Sequence, residues 1–245
     1  MRSFNRTPAQ PRPLQFQVGY TTNADSSVLV CFGNTKVICT ASLEDKVPPF
    51  LRNSKRGWVT AEYGMLPGAT HTRAPREAAR GKQGGRTVEI SRLIARCLRT
   101  CVDLEKMGER SITVDCDVIQ ADGGTRTASI TGGCVALLAC MHKHRTLFDT
   151  VPVVGRAVAV SLGIVADRVL VDLDYSEDSQ AEVDLNLIMD QQGRYIEIQG
   201  TAEGTPFAHQ ALTEILDLGR TALAEIAVAQ AEALAAYGVD ATWVP

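Results

Sequence analysis

Gln120-Ala121-Asp122-Gly123-Gly124-Thr125-Arg126-Thr127 separates two kinds of sequence, and the fold turns on how it is read. On its amino side, Ser111 to Val118 sets Ile112, Val114, Cys116 and Val118 at alternate positions, the period of a half-buried strand. On its carboxyl side, Ala128 to Met141 is rich in Ala, Leu and Val and free of proline, which predicts a helix packed into a core. A glycine pair thus falls between a strand's end and a helix's start, followed at once by a hydroxyl and a guanidinium. Glycine lets backbone N–H groups approach an anion closely, and the open amides and dipole of a helix start favour negative charge. Arg126 adds a fork of donors that matches phosphate oxygens. The stretch reads as a phosphate cradle, against the plainer alternative of a turn in which Gly-Gly bends the chain and Thr caps the helix. It is not a P-loop, because GxxxxGK[ST] is absent, and it lacks the GxGxxG of a dinucleotide site.

The remaining sequence sets bounds on this reading. With 245 residues, 45% hydrophobic and 22% charged, the chain has the balance of an ordinary globular protein with a full core. A formal net charge of -3 gives no overall attraction to nucleic acid, so a polyanion site has to come from local clustering. Cys31, Cys39, Cys97, Cys101, Cys116, Cys134 and Cys140 sit in apolar contexts without CxxC or His/Cys metal spacing, which points to buried free thiols in a reducing compartment. The opening residues carry no apolar run and no stretch reaches the length of a membrane span, so a cytoplasmic protein is expected.

Strands are predicted at Leu14 to Tyr20, Ser27 to Phe32 and Lys36 to Ala41, the last two joined by a hairpin turn at Gly33-Asn34. Glu44 to Arg86 is irregular apart from a strand-like piece at Trp58 to Tyr63. There Arg52, Lys55, Arg56, Arg73, Arg76, Arg80, Lys82 and Arg86 outnumber Glu44, Asp45, Glu62 and Glu77, which makes either a docking place for an acidic partner or a solvated face. Thr87 to Met107 has the period of an amphipathic helix stopped by Gly108. Further strands are predicted at Ala157 to Leu162, Val169 to Leu173, Val183 to Met189 and Tyr195 to Gln199, and a last helix at Ala208 to Ala236. The order argues for an α+β body of two halves alike in outline, read as a single domain over residues 1–245.

A second cluster lies at Asp172 to Asn186, the densest acidic segment. Strand alternation sets Asp184 and Asn186 opposite Val183, Leu185 and Leu187. A polar face turned to solvent explains that pattern. A face turned toward Gly124-Thr125-Arg126 would instead let Asp178 and Asp184 hold a hard divalent cation beside a phosphate. The four histidines suggest structural roles, His71 in the basic loop being the one placed where RNA could touch it.

Taken together these strings resemble the ribonuclease PH family, phosphate-dependent exoribonucleases that trim the 3′ ends of transfer RNA precursors. The resemblance rests on Ser27-Val28-Leu29-Val30, Gly57 to Pro67, Thr70-His71-Thr72-Arg73, Gly81 to Thr87, Asp115 to Thr127 and Asp174 to Asp184. It implies a ribosomal protein S5 domain 2-like fold and a homohexameric ring assembled as a trimer of dimers. It implies inorganic phosphate held by Arg86, Gly124, Thr125 and Arg126, with magnesium or manganese and catalysis at Asp178 and Asp184. It implies RNA guided by Arg73 and Arg76, and a reverse reaction that adds nucleotides from nucleoside diphosphates. The chain departs from the family pattern at Gly68, where members often carry arginine, and at Asn5, where they often carry glycine. Two other readings are compatible with the fold, a silent RNA-binding ring subunit and a small-molecule phosphotransferase.

Overall fold

The computed structural model describes residues 2–245. The amino-terminal half builds a five-stranded sheet from β1 (Leu14–Val18), β2 (Ser26–Phe32), β3 (Thr35–Glu44), β4 (Trp58–Met65) and, after helix α1 (Gly85–Arg99), β5 (Ser111–Gln120). Its spatial order is β1-β2-β3-β5-β4, antiparallel throughout except for the parallel pair β4 and β5. The hairpin between β2 and β3 closes with Phe32 opposite Thr35, and Gly33 takes the left-handed conformation that the turn requires.

Helix α2 (Thr125–Lys143) follows, and the carboxyl-terminal half adds a four-stranded antiparallel sheet ordered β7-β6-β8-β9. Its strands are β6 (Ala157–Val165), β7 (Arg168–Val171), β8 (Val183–Asp190) and β9 (Tyr195–Ala202). A one-turn helix α3 (Tyr175–Asp178) bridges β7 and β8, and the long α4 (His209–Ala236) closes the chain against β6, β7 and β1. Every residue of α2 from Thr127 to Met141 is buried, because the helix packs on β2, β3 and β5 of one sheet and on β6 of the other. That explains its lack of an amphipathic pattern, since a helix covered on all sides needs no polar face. The glycine pair Gly132-Gly133 lets the helix lie close on the first sheet: a Cβ on Gly132 would lie 2.4 Å from Val30.

Three elements differ from their sequence expectations, each for a local reason. The first helix stops at Arg99 rather than Met107. Cys101 and Val102 keep the helical period, but the backbone leaves the axis to pair with the segment before β6, through a bridge between Val102 and Val153. The strand expected to reach Leu173 ends at Val171, because Asp172 turns into a left-handed conformation. The third is α3, which lay unread inside the acidic run. Asp174 caps it and Glu177 returns the bond to the cap's own N–H, so the D-x-x-E spacing was its signal. All seven cysteines are free and buried, and among the described residues no helix is long and apolar enough to cross a membrane.

Candidate active site

The strand-to-helix turn is held from three sides. Gly123 and Gly124 both take positive φ, and Gly124 stands at the cap position of α2. A Cβ on Gly123 would come within 2.4 Å of the Leu173 carbonyl, so only glycine lets the turn press onto the chain leading into α3. The Thr35 hydroxyl donates to the Gly123 carbonyl at 2.6 Å and accepts from the Asp122 N–H at 3.0 Å. Beneath lies Arg12, whose guanidinium donates to the carbonyls of Asp122 and Gly123 and pairs with Asp172 at 2.7 Å. Burial works against its charge, yet the Asp172 carboxylate more than offsets this and raises the Arg12 pKa. The turn is therefore rigid, and helix geometry leaves the first amides of α2 without intrahelical partners.

That end of α2 opens into a cavity of about 600 Å³. Gly124, Thr125 and Arg126 line one side together with Arg86, the second residue of α1. Asp178 from α3 and Asp184 from β8 line the other. Two segments distant along the chain thus share one space. Arg73 and Arg76 are exposed on the loop that follows β4 and do not line it, although Thr70 of that loop does. His71 lies in the same loop, its ring centroid 5.6 Å from that of Tyr175 at the cavity's edge.

The arginines differ in how they are held. Arg126 donates to the Gln199 side chain at 2.6 Å and lies 3.5 Å from the Glu89 carboxylate, to which Gln199 also donates. One guanidinium is thus oriented by α1 and β9 together. Arg86 makes no such contact and is exposed, so its side chain is free to follow a ligand. Thr125 shares a 2.9 Å hydrogen bond with the buried Tyr63 hydroxyl, whose pKa burial raises.

The acidic run divides into two kinds of carboxylate. Asp172, Asp174 and Glu177 are consumed by structure: Glu177 takes a two-pronged contact from Arg2 and another from Arg6, and Asp174 caps α3. Among the described residues, Asp178 and Asp184 have no side-chain hydrogen bond or ion pair. Burial raises both pKa values, Asp178 pushes that of Asp184 further, and the nearby Arg86 and Arg126 oppose the shift. Exposed Asp178 and partly buried Asp184, without protein partners among the described residues, offer the hard oxygen donors that suit magnesium or manganese; Glu203 and Asn186 line the same cavity, but Glu203 does not close a three-carboxylate cluster with the pair.

Sequence reading missed Arg12, Asp172, Thr35, Tyr63, Gln199 and Glu89, because each acts through contacts between residues far apart in the chain. It also found no His/Cys metal spacing, whereas the fold brings Asp25, Cys140 and His144 within 4.8 Å. There Asp25 pairs with Lys143 at 3.7 Å and faces His144 at 3.0 Å, and burial pushes the Cys140 thiol up to about 12.

Comparison with known proteins supplies the wider frame. A model of the 3′ exoribonuclease family, domain 1, matches residues 10–141, and one of domain 2 of the same family matches residues 155–222. Among solved structures, rice (Oryza sativa) Rrp46 superposes with a TM-score of 0.77 at 18% identity, covering 95% of this chain and 100% of that one. An Archaeoglobus fulgidus exosome with RNA bound to the active site gives 0.77 at 22% identity, covering 92% and 91%. An archaeal exosome core gives 0.70 at 20%, covering 90% and 87%. These likenesses establish the fold as the α+β, S5 domain 2-like arrangement.

Proposed function

The chain belongs to the 3′ exoribonuclease family, and we propose that it is a phosphorolytic enzyme of the ribonuclease PH type, removing nucleotides from the 3′ ends of transfer RNA precursors. The observation that carries this reading is the single cavity shared by Arg86, the Gly124–Arg126 turn, Asp178 and Asp184. Positive and amide donors on one wall and unpaired carboxylates on the other are what an anion attacking an anion requires.

In this mechanism inorganic phosphate sits at the start of α2, held by its amides, Thr125 and Arg126, with Arg86 closing over it. One phosphate oxygen attacks the last phosphodiester of the RNA. A new P–O–P link forms as the bond to the 3′ oxygen of the preceding nucleotide breaks. The products are a nucleoside diphosphate and an RNA shorter by one residue, its 3′ oxygen protonated. The arginines offset the repulsion between the two reacting phosphates. The raised pKa of the Asp178–Asp184 pair suits one of them to hold the proton that the leaving oxygen takes. Asp178 and Asp184 would hold magnesium or manganese, which when bound neutralises charge on the reacting phosphate. The reverse reaction uses the same contacts to add a nucleotide from a diphosphate.

RNA would approach over the exposed loop that carries Arg73 and Arg76, and the lack of a charge at Gly68 leaves those two as its main anchors. Its neighbours in fold include an archaeal exosome core, and a homohexamer of this chain, a trimer of dimers, belongs to the same proposal. Product analysis of a short RNA incubated with and without phosphate tests the reading. Diphosphates that appear only when phosphate is added are expected; monophosphates released without it would mean hydrolysis and end the proposal.

A further inference from the structure

Ser161 sits in β6 where the second sheet passes beneath the start of α2. Its side chain is turned to the helix: a Cβ placed on Gly124 would lie 3.4 Å from the Ser161 Oγ. The residue is 4% exposed, lines the cavity, and its hydroxyl has no hydrogen-bond partner among the described residues. Its backbone is fully engaged, pairing with Asn186 across β8 and accepting from the Asp172 N–H, so the strand cannot rotate to satisfy it.

A buried hydroxyl without a partner is costly, and an apolar or smaller residue would avoid that cost unless a ligand completes the bond. The surroundings decide what kind of ligand. The Gly123 carbonyl, an acceptor on the turn, already receives Thr35 and Arg12. The groups facing it across the turn are donors: the open amides of α2 and the Arg12 guanidinium, which carries its own counter-ion in Asp172 and which a Cβ on Gly124 would approach to 3.0 Å, while Asn186 lies opposite on β8. Such a place attracts an acceptor, not a donor.

Resting on the phosphorolytic reading above, we propose that Ser161 is a phosphate-binding residue, its hydroxyl donating to the deepest oxygen of the bound inorganic phosphate. It supplies the floor of the site, while Thr125 and the two arginines supply the walls. The bond is neutral and made to the nucleophile rather than to the RNA. It therefore acts on phosphate affinity and leaves the RNA contacts alone.

The test uses Ser161→Ala in the full chain, with inorganic phosphate as the probe and no RNA in the binding arm. Calorimetry and phosphate-induced thermal stabilisation should show affinity weakened about 2- to 10-fold, the range for one neutral hydrogen bond. KM for phosphate should rise by the same factor, with KM for RNA and the rate at saturating phosphate unchanged. Without phosphate the variant should melt no lower than the wild type, since it loses only an unpaired polar atom. A lower melting temperature without phosphate would show that the hydroxyl serves the fold and overturn the proposal. Equal phosphate affinity in variant and wild type would overturn it while leaving the phosphorolytic reading intact; a wild-type chain that binds no phosphate would sink that reading itself.

Discussion

Arg12 and Asp172 meet at 2.7 Å with neither side chain reaching solvent, although 160 residues separate them along the chain. The pair joins the lead-in to β1 with the turn after β7, and the same guanidinium holds the carbonyls of the Asp122-Gly123 turn. A contact between the two halves thereby fixes the shape of the turn that starts α2.

Breaking that pair from one side should be severe. Arg12→Met or Asp172→Asn leaves a buried charge or polar group uncompensated, and a loss of about 3–5 kcal/mol is expected in chemical denaturation. Replacing both with apolar residues should recover part of the loss, because no unpaired charge remains. Single variants with the wild-type midpoint would show that the pair is not what braces the turn.

The two unpaired carboxylates give a pH signature. Their folded-state pKa values are raised by burial, so the folded chain binds protons more readily than the unfolded one. The stability they contribute is complete below the ordinary carboxylate pKa and is lost as pH rises through the raised values. Asp184→Asn should therefore raise the melting temperature at neutral pH, lose that advantage under acid conditions, and abolish phosphorolysis. A variant less stable at neutral pH would contradict this sign. Metal binding should weaken as pH falls through the same range, measurable by manganese titration.

Arg126→Ala should remove a charge-assisted contact worth about 1.5–3 kcal/mol, lowering kcat/KM for phosphate roughly 10- to 150-fold. Gln199→Ala keeps the charge and releases its anchor at 2.6 Å, so a smaller loss in the same parameter is expected. Steady-state kinetics in varied phosphate separate the two; an unchanged Arg126→Ala rate would remove that residue from the site.

The exposed loop predicts a different dependence. Arg73→Ala should weaken binding of single-stranded RNA at low salt and flatten the slope of affinity against salt by about 0.7, the share of one phosphate contact. Phosphate KM should hold steady. Wild-type affinity and slope would place the RNA path elsewhere.

Much of this fold was legible because it is built from short-range patterns. Alternation marked β1, β5 and β8, apolar runs marked other strands, and Gly33-Asn34 marked its hairpin. The run from Gly123 to Arg126 marked a helix start. Long-range partners were not legible. Nothing near Arg12 says that its counter-ion lies at Asp172, and nothing near Gln199 says that it steers Arg126. The acidic run showed where carboxylates were dense but not which were consumed. Asp174 and Glu177 fold α3 and leave Asp178 bare, a division set by Arg2 and Arg6 from the other end of the chain. The overlong first helix failed similarly, as Val102 kept its apolar period while its backbone was claimed by Val153.

The complete burial of α2 ties the two halves of the chain together. The first family model ends at residue 141, in the last turn of this helix, and the second begins at 155, yet the helix is roofed by one sheet and floored by the other. Severed there, the first piece would expose the side that rests on β6, and the second would lose the surface its sheet closes upon. Melting should accordingly run as one cooperative event, and an anion seated at the helix's tip would act as a rivet through both leaves.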